Sequence, residues 1–165
     1  MTGDTLNEQV GVLTRREIEA RILKPFFDAV SEELGEEKTR TLLRDIVIDA
    51  AQNVGRDMRE QAKDDSLSAF AAQWEPWFRG GALEIEVLEQ TNEVWAFNVT
   101  RCRYAELYRA LGMADLGATL SCNRDAALVK GYSDDITFER SQTIMQGAKC
   151  CDFRYARIAP ASGDE

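Results

Sequence analysis

The apolar residues of this chain change their period at the glycine pair Gly80-Gly81. Before it, Ile18, Ile22, Phe26 and Val30 recur at every fourth position with Leu23 alongside. Leu42, Leu43, Ile46, Val47, Ala50, Val54 and Met58 then repeat the pattern of a helix with one buried face. After it, Leu83, Ile85 and Val87 alternate with Glu84 and Glu86, and Trp95, Phe97 and Val99 alternate along a partner strand. Helices first, then strands interrupted by short helices, predict an α+β fold, with N-terminal helices packed on one face of a mostly antiparallel sheet.

Local signals place the boundaries. Thr14-Arg-Arg-Glu17 reads as a capping box that opens the first helix. Pro25 predicts a kink or break within it, and Gly35 closes it. A second helix runs from Glu36 to about Ala62, where Gly55 either weakens the helix or permits close packing. A third covers Leu67 to about Trp74, capped by Asp65 or Ser66. Trp74, Trp77 and Phe78 form an aromatic knot, either a core plug or one wall of a ligand pocket. Tyr104, Leu107, Tyr108 and Leu111 mark a further helix ending at Gly112. Ala118 to Cys122 is ambiguous between strand and helix. Asn123 opens a helix that Gly131 closes. Residues 136–145 and 153–158 read as a final hairpin with Gly147 to Cys151 near its turn. One domain spanning 14–158 is expected, with residues 1–13 and 159–165 as flexible tails.

Composition narrows the chemistry. The 165 residues include no histidine, which removes the usual general base and the commonest metal ligand. Carboxylates, thiols, hydroxyls and arginines must carry whatever reaction occurs. A net charge of −9 argues against nucleic acid and anionic membranes as partners. Arginine-rich positive charge still suits a small anionic substrate. There is no basic-then-apolar leader and no apolar run long enough to span a bilayer, so the expected location is cytoplasmic, with thiols rather than disulfides. Without a Cys-x-x-Cys pair, no metal site is expected, and nothing points to a cofactor. The chain is open to forming a homo-oligomer.

All four cysteines fall in the C-terminal part of the chain. Cys122 and Asp125 are three residues apart, a spacing that puts both on one face of a helix. The carboxylate is a candidate base, or only a helix-terminal charge. The thiol is a candidate nucleophile, or a small core residue. Alternation turns Cys151 and Phe153 to one face of the last strand and Asp152 to the other. Arg140 lies on a strand otherwise apolar on its face, with Ile136, Phe138 and Ile144. It is either a lone edge-strand arginine or, if inward, needs Asp125, Asp152 or an anionic ligand as partner.

Three runs carry a resemblance: Cys102-Arg-Tyr104-Ala-Glu-Leu-Tyr108, Ser121-Cys122-Asn-Arg-Asp125, and Arg140-Ser-Gln-Thr143-Ile-Met-Gln-Gly147-Ala-Lys-Cys150-Cys151-Asp152-Phe153-Arg154-Tyr155. With Arg16-Glu17-Ile18-Glu19 and Glu33-Leu34-Gly35-Glu36, they resemble the L-2-amino-thiazoline-4-carboxylate hydrolase family over residues 14 to 158. The C-terminal part is more distantly similar to vinyl-reductase-like small-molecule-binding domains. The first resemblance implies a hydrolase that opens a cyclic amidine or thiazoline carboxylate in cysteine metabolism, giving a carbamoyl-cysteine. The second implies a non-catalytic binding or sensor domain. On this reading Cys122, Asp125, Cys151 and Asp152 are the catalytic candidates, and Arg140, Thr143, Cys102 and Tyr104 are the substrate-binding ones.

Overall fold

The computed structural model describes residues 9–158. Residues 1–8 of the tail expected at 1–13, and the tail at 159–165, lie outside them, whereas Val12 and Leu13 belong to the first helix and Val12 is buried. Helix α1 spans Val12–Leu34 and α2 spans Glu36–Gln61. Gly35 joins them at φ 84°, a left-handed-side conformation that L side chains rarely adopt. Its N–H bonds to the Ser31 carbonyl at 3.0 Å, and its own carbonyl accepts from Thr39 at 3.1 Å. α1 starts at Val12, so Thr14 lies inside its first turn instead of capping it. Pro25 sits within α1 without ending it. Helix α3 covers Leu67–Ala71, capped by the Ser66 hydroxyl, which accepts the Ala69 N–H at 3.1 Å. Helix α4 covers Glu75–Phe78.

Beyond the glycine pair come strands β1 (Leu83–Gln90) and β2 (Val94–Cys102), then helices α5 (Arg103–Ala110) and α6 (Ala114–Gly117). A π-helical turn over Ala118–Cys122 leads directly into α7, Asn123–Tyr132. The ambiguous segment is therefore helical, and Cys122 precedes Asp125 through a wide turn, not at a strand-to-helix junction. Strand β3 is only Ile136–Glu139, shorter than the hairpin arm expected, because the chain then leaves the sheet for a short 3₁₀ turn at Ile144–Gln146. Strand β4 is Cys151–Arg157. The sheet is antiparallel throughout, in the order β1-β2-β4-β3.

The register of β2 against β4 aligns Val99 with Cys151, Phe97 with Phe153 and Trp95 with Tyr155. All six side chains are buried on the helix-covered face. Phe97 stacks on Phe153 at 4.9 Å, and Trp95 on Tyr155 at 5.2 Å. Phe70 and Trp74 meet this layer edge-on. Leu128, Val129 and Tyr132 of α7 and Met58 of α2 complete the cluster. Each buried aromatic contributes about 1.5–3 kcal/mol, more than a net hydrogen bond, so packing fixes the helices to the sheet.

The N-terminal hairpin forms an outer layer. α2 packs chiefly on α7, and its C-terminal end reaches the sheet core through Met58. The buried face of α1 is Val12, Arg16, Ala20 and Phe27, whereas Ile18, Ile22 and Phe26 are 61, 70 and 63% exposed. On α2, Leu42 and Ile46 are likewise exposed, while Val47, Ala51 and Met58 are buried. The four-residue spacing of large apolar residues thus marks the outside of this hairpin. The inside of α1 sets an arginine and a small residue, Arg16 and Ala20, between Val12 and Phe27, which weakens the hydropathy signal of that face.

Gly55 of α2 and Gly131 of α7 mark where two backbones touch. A Cβ at Gly55 would lie 2.1 Å from the Leu128 carbonyl oxygen, and one at Gly131 would lie 2.1 Å from that of Gln52. Gly131 therefore sits within α7 for packing and does not stop the helix. Alanine in a helix normally stabilises by up to about 1 kcal/mol over glycine. Here the backbones cannot yield cheaply, so Gly55→Ala and Gly131→Ala should each destabilise by about 1–3 kcal/mol in urea denaturation. Neutral or stabilising values would show that the two helices do not approach this closely.

Candidate functional site

A cavity of about 60 Å³ opens between the sheet and the helices. Its walls include Trp74, Trp77, Leu83, Val99 and Phe153 on the apolar side, and Cys102, Cys122, Cys151, Tyr104, Asp125 and Arg140 among the polar groups. β2 supplies Val99 and, at its end, Cys102. β4 begins with Cys151, the π turn ends with Cys122, and Asp125 lies in the first turn of α7. Trp74 is both the core plug and a cavity wall, and its indole N–H is buried with no hydrogen-bond partner among the described residues.

Asp125 and Arg140 form a hydrogen-bonded ion pair with side chains only 17 and 13% exposed. The second arm of the guanidinium donates to the Cys122 carbonyl at 3.0 Å. Its plane lies over the rings of Phe138 and Phe153, at 5.6 and 5.3 Å from their centroids. Arg140 is thus held by the protein's own groups. Desolvation pushes the Asp125 carboxyl up to about 6, against the opposing pull of Arg140, Arg16 and Arg124. A carboxyl in that range can both take and return a proton near neutrality.

All four cysteines are free thiols. Burial, reinforced by the Asp125 charge, pushes Cys122 up to about 12, while Arg140 opposes it. Burial also raises Cys102, and takes Cys151 to about 11 although the Ile144 N–H donates to its sulfur at 3.2 Å. Tyr104 is raised by burial too and donates to the Trp77 carbonyl at 3.1 Å. At neutral pH these groups are uncharged hydrogen-bond donors.

Two candidates lie away from the cavity. Asp152 faces the other side of the sheet, as alternation expects, and accepts from the backbone N–H groups of Ser141 and Gln142 at 3.0 and 2.9 Å. Slight desolvation acts to raise it, but hydrogen bonds from Ser141 and Gln142 hold it below the usual carboxylate range. This geometry anchors the loop after Arg140. Thr143 is buried, and its hydroxyl accepts the Gln146 N–H at 3.2 Å, capping the 3₁₀ turn. No group of three or more Cys, Asp and Glu side chains among the described residues is arranged to hold a metal ion.

The cavity also contains residues that periodicity did not select: Arg16, Arg124 and Ser121. Ser121 shares a hydrogen bond with Tyr108 at 2.9 Å. Arg16 interrupts the inner apolar stripe of α1, and such a charge at a buried position was the available signal. The neutral thiols lead to a direct measurement. With a thiol-disulfide reagent at pH 7, Cys122 and Cys151 should stay unlabelled while Cys150 reacts, and unfolding should release four reactive groups. Labelling of Cys122 in the native protein as fast as Cys150 would contradict a neutral, enclosed thiol.

Comparison with known proteins adds three findings. The model of the L-2-amino-thiazoline-4-carboxylic acid hydrolase family matches residues 15–155. No curated protein matches. Among solved structures, the crystal structure of the phenol-responsive sensory domain of the transcription activator PoxR with phenol is similar at a TM-score of 0.47 and 11% identity. The match covers 82% of this chain and 73% of that one. With the family model spanning the chain from the first turns of α1 to the end of β4, this chain belongs to the L-2-amino-thiazoline-4-carboxylic acid hydrolase family.

Proposed function

We propose that the chain is a hydrolase that opens the ring of a small cyclic amidine carboxylate of the 2-aminothiazoline-4-carboxylate type, a step of cysteine metabolism. The observation that carries this is Asp125, a carboxyl tuned to about 6 in a largely apolar cavity lined by neutral thiols. Asp125 takes a proton from water as the water oxygen bonds to the amidine carbon. The C=N electron pair moves onto the ring nitrogen. The tetrahedral carbon then releases the ring sulfur, which leaves with that proton as a thiol, while the remaining hydroxyl proton passes to the ring nitrogen and a urea carbonyl forms. One water is consumed, and the product is N-carbamoyl-cysteine. A Cys122 thiolate formed beforehand would require moving a proton uphill, from a thiol that burial holds well above its ordinary value to a carboxylate that titrates below it. General-base attack by water needs no such ion before the bond forms. Cys122, Cys151 and Cys102 then serve as donors and walls around the ring, and Arg140 positions Asp125.

The test is turnover of 2-aminothiazoline-4-carboxylate, followed by release of the new thiol and by product mass. kcat/KM should rise with pH through about 6, since the base works only when ionised. Asp125→Asn should lower kcat by at least about 100-fold and remove that limb while the circular-dichroism spectrum is retained. Full activity in Asp125→Asn would defeat the base assignment. A covalent adduct on Cys122 would move the attack to the thiol. The aromatic walls and neutral thiols also suit a cavity that only binds. Tight binding of the same compound without turnover would select that reading.

We also propose that two copies pair through the outer face of the N-terminal hairpin. Ile18, Ile22, Phe26, Leu42 and Ile46 each leave roughly 100 Å² uncovered, so twofold pairing would bury about 1,000 Å², the threshold of a specific interface. Glu17–Arg21 and Lys24–Asp28 neutralise one flank, so the net negative charge does not oppose a second copy there. Light scattering should return the mass of two chains, and Ile22→Asp should return one with the fold unchanged. A monomeric wild type would refute the pairing.

A further inference from the structure

A second, larger cavity of about 410 Å³ adjoins the first. The two share Val12, Arg16, Trp77, Arg124 and Asp125 as walls, so two arginines and the candidate base stand at the boundary between them. Arg16 has a side chain 8% exposed and donates to Glu19 at 2.7 Å. Arg124 is 16% exposed, donates from Nε to the Leu120 carbonyl at 2.7 Å, and lies 3.6 Å from the same Glu19 oxygen. Each guanidinium has five N–H donors, and most of them have no protein partner among the described residues.

Charge leads to the same place. Among the described residues, the carboxylates within ion-pair distance of Arg16, Arg124 and Arg140 are Glu19 and Asp125, while Asp57 and a further cation, Arg15, line the larger cavity. Asp125 is committed to Arg140, so Arg16 and Arg124 share one carboxylate that is itself a third exposed. A sheltered positive charge without its own counterion is costly unless a ligand completes it. Desolvation, followed by the charge of Arg16, lowers Arg124 to about 10, so it remains protonated at neutral pH.

We infer that Arg16 and Arg124 form the carboxylate-binding site of the ligand, at the boundary between the cavities, while Arg140 serves Asp125. The paired forks suit a planar carboxylate. With the carboxylate at that boundary, the ring enters the smaller chamber beside Asp125, and the larger cavity is the route in. Both arginines also pull the Asp125 carboxyl down. A bound carboxylate offsets that pull and makes Asp125 a stronger base once substrate is in place.

The inference rests on the reading of the Asp125 cavity as the ligand site, but it does not require hydrolysis. Calorimetric titration with 2-aminothiazoline-4-carboxylate and with its uncharged 4-carboxamide separates the two. Wild type should prefer the carboxylate by at least about tenfold, the scale of a charged hydrogen bond. Arg16→Gln and Arg124→Gln should each lose most of that preference, and Arg124→Lys should regain part of it. Because preference is a ratio of two affinities on one protein, partial unfolding of a variant cancels. In the turnover assay, the acid limb of Arg124→Gln should also move to higher pH, because a carboxyl relieved of a nearby cation holds its proton longer. Equal affinity of wild type for both probes, failure to bind the carboxylate, or undiminished preference in both Gln variants overturns the site. Hydrolysis of the carboxamide as fast as the carboxylate removes the anion site and leaves the hydrolase. Selective carboxylate binding without turnover does the reverse.

Discussion

Where α2 crosses α7, Gly55 and Gly131 bring two backbones together with no side chain between them. That contact sets how far α7 stands from the N-terminal hairpin, and the first turn of α7 carries Arg124 and Asp125. The same helix buries Leu128, Val129 and Tyr132 against the aromatic layer of the sheet. α7 is therefore clamped from both sides, and the groups at its start inherit that rigidity. A site on such an element keeps its geometry better than one on a loop.

At that start the sheet and the helices exchange charge. Arg140 comes directly after β3, Asp125 from α7, and the carbonyl of Cys122 from the π turn. One guanidinium ties all three segments, and two rings cover its faces. Its partner carboxyl is both desolvated and surrounded by cations. The two influences oppose each other and leave Asp125 between a strong acid and a permanently neutral one. Without histidine, burial of an aspartate is the route by which this chain obtains a group that titrates near neutrality.

Much of this was legible in the sequence. The change of period at Gly80-Gly81 separated helices from strands, and alternation correctly turned Cys151 and Phe153 away from Asp152. The cost of an inward guanidinium left Arg140 with Asp125, Asp152 or an anionic ligand as partner, and only the structure selects Asp125. The face of the N-terminal hairpin did not follow. Ile18, Ile22 and Phe26 look like a core stripe, but Val12, Arg16, Ala20 and Phe27 take the inward face of α1, so these three are left outside. Arg16 and Arg124 were missed for a related reason. Arg16 does interrupt an apolar stripe of α1, but that this stripe is the inner one becomes visible only once α1 and α7 are set side by side. The π turn was hidden as well, since Ala-Thr-Leu-Ser-Cys suits strand and helix alike.

The placement of Trp74, Trp77 and Trp95 has an optical consequence. They are the three tryptophans of the chain, and all belong to the aromatic cluster or its margin, two of them in the cavity wall. No indole lies on the outer helices or elsewhere to dilute their signal. Ultraviolet emission of this protein is therefore dominated by the surroundings of one chamber. Trp74 and Trp95 stand edge-to-face at 5.4 Å, close enough to share excitation, so a change at one wall spreads through the emission of the others. The chain carries a native spectroscopic probe in the wall of that chamber.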